Sequence, residues 1–183
     1  MTDHFRLFPR QPVPPLVVEL AGGGSFDLAT EEAPANFTLV VFYRGLHCPI
    51  CRAQLKDLES KLDEFGRRGV SVVAASSDTK GRAVETKAAW GLSRLRLGYG
   101  LDLSSAWQWG LFISSGRGAT STGFEEPARF SEPALYLVQS DGTLYFGSVQ
   151  TMPFARPHFS EILAAIDYVL KHDYPARGEV TRL

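Results

Sequence analysis

At 183 residues, with 44% hydrophobic content and a formal net charge of −1, the chain is long enough to bury a sizeable core in one compact domain over residues 1–183. Its balanced charge gives no reason to invoke nucleic acid or an anionic membrane, so neither is expected as a partner. Basic residues are scattered, and the Arg67-Arg68 pair reads as solvated charge at a helix end.

The opening stretch MTDHFRLFPRQPVPP lacks the continuous apolar core of a secretory signal, and no window reaches the length of a membrane-spanning helix. A cytoplasmic protein is the expectation. Residues 1–15 form an extended lead-in, with four prolines between 9 and 15. LVVEL (16–20) and FDL (26–28), joined by a glycine-rich turn, predict a short β-hairpin, and 30–36 a polar connector. Leu39 to Tyr43 is a run of β-branched and aromatic residues without polar interruption, as in a buried strand.

Gly45 breaks that run, and Cys48-Pro49-Ile50-Cys51 follows. Leu55, Leu58, Leu62 and Phe65 then recur at helical spacing, which predicts a helix over 49–65 ended by Gly66 and Gly69. Proline suits the first helical position, since its missing N–H would be unpaired there. Val70 to Ala75 is a second buried strand, and Asp78 or Thr79 caps a helix reaching about Ala89. Residues 91–96 connect onward to a short strand at 97–101 and a brief helix at 104–109. Residues 114–130 are rich in glycine and serine without periodicity, which predicts a long functional or mobile loop. Pro133, then ALYLV (134–138), Ser140-Asp141-Gly142 and TLYFGSV (143–149) form an antiparallel hairpin. A last helix begins near Pro157 or Ser160, with Ile162, Ile166, Val169 and Leu170 inward. Strands alternating with helices early, and a hairpin plus helix late, give an α/β fold with a central mixed sheet flanked by helices on both faces.

The chemistry gathers at Cys48 and Cys51. Strand, turn, dithiol and helix in that order put both thiols where unpaired N–H groups and the helix dipole favour an anion. The thiolate is the nucleophile, and such a setting lowers a thiol pKa from about 8.5 into the range of roughly 3.5–7.5. The pair is also spaced to close an intramolecular disulfide. Protonated His47 and Arg44 would add to the anion's stability, against the plainer readings of an exposed turn histidine and an arginine paired with a carboxylate. Metal fits poorly, because a structural zinc site takes four ligands and only His47 is close, while His4, His158 and His172 are distant. No cofactor is implied. Two inert cysteines packed under a turn are the bland alternative.

The stretch FYRGLHCPICRAQL resembles the active-site region of the thioredoxin superfamily, most closely its peroxiredoxin-like branch, the alkyl hydroperoxide reductase and thiol-specific antioxidant family. Similarity extends to the N-terminal hairpin, the Asp78 region, GYGLDLSSAWQWGL and the closing PFARPHFSEILAAIDYVLKHDYPARG. The resemblance implies a thioredoxin-like fold with an N-terminal β-hairpin extension, and a thiol-dependent oxidoreductase. Its substrate would be a hydroperoxide or a disulfide, and an external thiol of the thioredoxin or glutathione kind would restore the dithiol. It also admits a homodimer. In the peroxiredoxin register the peroxide-reacting cysteine falls on Cys51 and a hydroxyl position on Cys48; in the thioredoxin register Cys48 attacks first. The resemblance further implies that Pro133 is a cis-proline beside the dithiol. It departs where Arg44 replaces a proline, and where Pro133 stands near the expected thiolate-binding arginine, leaving Arg129 and Arg44 as substitutes. A reading of another class is a redox sensor or protein-binding module, with loop 114–130 and Trp107, Trp109 and Phe154 as its surface.

Overall fold

The computed structural model describes residues 6–32 and 34–182. The start of the expected lead-in, His4 included, lies outside them. In chain order the strands are β1 (Val17–Leu20), β2 (Ser25–Asp27), β3 (Phe37–Phe42), β4 (Val70–Ala75), β5 (Leu97–Tyr99), β6 (Ile113–Ser115), β7 (Arg129–Ser131), β8 (Ala134–Gln139) and β9 (Leu144–Val149). The helices are α1 (Pro49–Arg67), α2 (Lys80–Trp90), α3 (Leu103–Gln108) and α4 (Phe159–His172).

All six residues of β3 are buried, because both faces of this central strand are covered. Alternation along the strand divides them. Leu39 and Val41 face a core shared with Leu55 and Leu58 of α1, Trp90 of α2 and Ile162 and Ile166 of α4. Val40 and Phe42 face a second core with Ala106 of α3, Trp109 and Tyr136. The sheet runs β2-β1-β5-β4-β3-β8-β9. β4 is parallel to β3 and to β5, whereas β8 is antiparallel to β3 and β9 to β8, so the sheet is mixed as expected. The hairpin β1–β2 is present and lengthens the sheet through antiparallel pairing of β1 with β5. The lead-in is tied alongside β9, with Arg10 N–H donating to Leu144 O at 2.8 Å and Leu144 N–H to Gln11 O at 2.9 Å.

Three local expectations change. Residues 114–130 are not a featureless loop. β6 and β7 pair antiparallel, and backbone bonds such as Gly116 N–H to Ala128 O at 3.0 Å continue the hairpin. Glycine and serine carry little β signal, yet they leave the backbone free to satisfy itself. The inner face of α4 is Phe159, Ile162, Leu163 and Ile166, with Val169 partly buried against the same core, whereas Leu170 is 42% exposed. Finally, the described residues contain no cis peptide bond, so Pro133 is trans. Extended backbone on either side holds it: Glu132 N–H donates to Phe112 O at 2.7 Å and Gln150 N–H to Pro133 O at 3.0 Å. A trans X–Pro bond is also the intrinsically favoured isomer, by about 0.5–1 kcal/mol.

Candidate active site

The buried strand β3 delivers Tyr43 and Arg44 to the edge of the core, and Gly45 turns the chain toward α1. Gly45 has φ +133°, and a Cβ there would lie 2.6 Å from Asp78 Oδ2, so any other residue would clash with a buried carboxylate. Cys48 N–H donates to Gly45 O at 3.1 Å, closing the turn. Cys48 is then the N-cap of α1, and its sulfur accepts the Cys51 N–H at 3.3 Å. That is the bond a serine or aspartate oxygen makes at a helix start, here made by sulfur. Pro49 occupies the first helical turn, as its lack of a donor allows.

Both cysteines are free and almost wholly enclosed, Cys48 1% and Cys51 0% exposed. They are not inert for that. Arg156, which the sequence did not single out, lays its guanidinium over both: Nη2 is 3.2 Å from Cys51 Sγ and 3.8 Å from Cys48 Sγ. The same guanidinium donates through Nε to Pro153 O at 2.6 Å and through Nη1 to Gln54 Oε1 on α1. Residues 150–158 therefore form a strap across the helix start, passing through Ala155 at φ +60°. Beside it lies a groove of about 350 Å3 lined by Ile50, Gln54, Phe154, Arg156, His158 and Phe159.

The two thiols differ electrically. The Cys48 pKa falls to about 6, chiefly because the Cys51 thiol donates to its sulfur; the Cys51 N–H and the charges of Arg156 and Arg44 add, and burial opposes. Burial pushes the Cys51 thiol up, and its bond to Cys48 and the negative charge there push the same way, with Arg156 opposing. The pair loses its protons in two steps that belong to the dithiol as a whole, with Cys48 lowered and Cys51 raised.

The other expected residues fall as follows. Arg44 offers its backbone N–H to Cys51 Sγ at 3.4 Å. Its guanidinium points elsewhere, 3.2 Å from both Glu126 Oε1 and Glu132 Oε2 and over the ring of Phe130. His47 is buried rather than exposed, its Nδ1 3.3 Å from Arg82 Nη2 and its ring 4.7 Å from Phe130. Burial lowers its pKa to about 4, helped by Arg44 and Arg82 and opposed by Glu126, so at neutral pH it adds no positive charge to the dithiol. Arg129 lies exposed on β7, and Pro133 is buried and trans before β8. Trp109 is core, donating its indole N–H to Pro15 O at 3.2 Å, while Phe154 is 54% exposed on the strap.

Among the described residues no group of three or more His, Cys, Asp or Glu side chains could hold a metal ion, and no helix is long and apolar enough to cross a membrane.

Solved structures with this fold include peroxidoxin BcpB from Mycobacterium tuberculosis, 16% identical, with TM-score 0.69 over 90% of this chain and 99% of that one. A reduced 2-Cys peroxiredoxin from Plasmodium vivax is 19% identical, TM-score 0.71, over 97% and 92%. AhpC from Enterococcus faecalis is 14% identical, TM-score 0.70, over 94% and 99%. No curated protein sequence matches the chain. The sequence pattern of the AhpC/TSA family matches residues 9–146, a span that holds both cysteines and the whole sheet up to β9 but stops short of Arg156. On that match the chain belongs to the AhpC/TSA family.

Proposed function

We propose that this protein reduces hydroperoxides through its dithiol, with Cys48 as the first nucleophile and Cys51 as the resolving thiol. Family membership supports the reaction class. The assignment of roles rests on one observation: the Cys48 sulfur caps α1 and accepts the Cys51 N–H at 3.3 Å, which adds to the larger effect of the Cys51 thiol's bond in lowering the Cys48 pKa to about 6. The Cys48 thiolate attacks the outer peroxide oxygen, the O–O bond breaks, and the departing alkoxide takes a proton to leave as an alcohol. Arg156, fixed by Pro153 and Gln54, lies where that developing oxygen charge would be met. Cys51 sulfur then attacks the Cys48 sulfenic acid and water leaves, which closes a Cys48–Cys51 disulfide. An external thiol reductant of the thioredoxin or glutathione class supplies two electrons to reopen it.

A second reading reverses the order. Cys51 Sγ receives both the Arg44 N–H at 3.4 Å and Arg156 Nη2 at 3.2 Å, which favours Cys51 as the peroxide-reacting sulfur. Single serine variants separate the two, since serine keeps the capping bond and the fold. With an external thiol present, Cys48→Ser is expected to abolish peroxide consumption and Cys51→Ser to retain it. The opposite pattern assigns the first step to Cys51. Turnover of a disulfide substrate with none of peroxide would replace the peroxidase by a disulfide oxidoreductase.

A further inference from the structure

The turn before the dithiol is held from outside by a group that belongs neither to the dithiol nor to α1. Asp78 lies between β4 and α2, and its side chain is wholly buried. Its Oδ2 accepts the Leu46 N–H at 2.7 Å, and its Oδ1 pairs with Arg82 Nε at 2.7 Å. Its own backbone is fastened as well, its N–H to Ser76 Oγ at 3.3 Å and its carbonyl to Gly100 N–H at 2.9 Å. The Arg82 guanidinium reaches onward to His47 Nδ1 at 3.3 Å. Asp78 and Arg82 therefore grip Leu46 and His47, the two residues before the helix cap, and Gly45 accommodates the carboxylate only because it lacks a Cβ.

We propose that Asp78 is the positioning residue of the dithiol: its carboxylate clamps Leu46, and thereby sets the entry angle at which the Cys48 sulfur meets the Cys51 N–H. The clamp lies 32 residues away in sequence, so it is a tertiary device and not part of the helix cap itself. It acts through geometry. The groups that shift Cys48 most are Cys51 on α1, Arg156 on the strap and the more distant charge of Arg44. A buried carboxylate that keeps a backbone donor and an arginine satisfied also resists displacement, because losing it strands both partners. The claim rests on Cys48 being the low-pKa thiol of the proposed function, and its test reads thiol chemistry without peroxide.

The experiment is the pH dependence of iodoacetamide alkylation at each cysteine of the reduced chain, located by fragmentation mass spectrometry, with thermal melting recorded alongside. Wild-type Cys48 is expected to show a midpoint near 6. Asp78→Ala, which loses the clamp, is expected to raise that midpoint by about one unit, a roughly fivefold drop in alkylation rate at pH 6. Asp78→Asn keeps an oxygen for Leu46 N–H and is expected to restore the wild-type midpoint. Should Asp78→Ala fail to fold, Asp78→Ser, whose shorter side chain withdraws the acceptor from Leu46 N–H, is expected to shift the midpoint the same way. A folded Asp78→Ala or Asp78→Ser chain with an unmoved midpoint overturns the proposal, as do equal shifts in the alanine and asparagine variants. A wild-type midpoint at the ordinary thiol value instead counts against the Cys48 thiolate itself.

Discussion

Arg156 is the residue on which the electrostatics of the site turn. It is half-buried, it touches both sulfurs, and its other donors are already committed to Pro153 and Gln54, so its fork is pre-aimed. Arg156→Ala is expected to raise the Cys48 midpoint by about one unit, or about 1.4 kcal/mol of thiolate preference. Arg156→Lys restores charge but not the fork and should recover only part of that shift; full recovery would reduce the arginine to a point charge. His47 supplies a second prediction at this scale. Its folded pKa, about 4, lies below the ordinary 6.5, so between those values the unfolded chain binds more protons than the folded one. Stability therefore rises with pH across that window and is lost as pH falls through it. The contribution is roughly 3 kcal/mol. Urea unfolding at pH 7 and pH 5 should show a steeper loss for wild type than for His47→Gln; identical losses would mean that His47 protonates freely in the fold.

At the scale of elements, α1 does two jobs, and one is legible from sequence alone. Strand, Gly45, the dithiol and the leucine periodicity are local signals, so the sulfurs at a helix start follow from residues 39–65 read in order. Arg156 was not legible. It comes 105 residues after Cys51 in an irregular segment with no period, and only the folded strap brings it to the sulfur. Arg129 and Arg44 were the nearer choices in sequence, but exposure claims the one and Glu126 and Glu132 claim the guanidinium of the other. The isomer of Pro133 likewise lies beyond any residue pattern, since flanking backbone bonds decide it. The second job of α1 is packing. Leu58 is fully buried between the sheet and α4, and Leu58→Ala is expected to cost about 2–5 kcal/mol, seen as a lower urea midpoint. A loss below 1 kcal/mol would show that α1 is loosely seated and a poor platform for the dithiol.

For the whole molecule, the mixed sheet places every group of the site at one end of its central strands. β3 supplies Arg44, the connection after β4 supplies Asp78, α1 supplies both sulfurs, and the chain after β9 supplies Arg156. Family membership and fold agree with peroxide chemistry on a thiol, and two cysteines at one helix start make their order the distinguishing question. The direct test is to mix the reduced wild-type chain with one equivalent of hydroperoxide. The reaction is quenched within milliseconds into a sulfenic-acid trap such as dimedone, and the tagged sulfur is located by mass spectrometry. The account predicts the tag on Cys48, giving way to a Cys48–Cys51 disulfide at longer times; a tag on Cys51, or no oxidation of either sulfur, would contradict it.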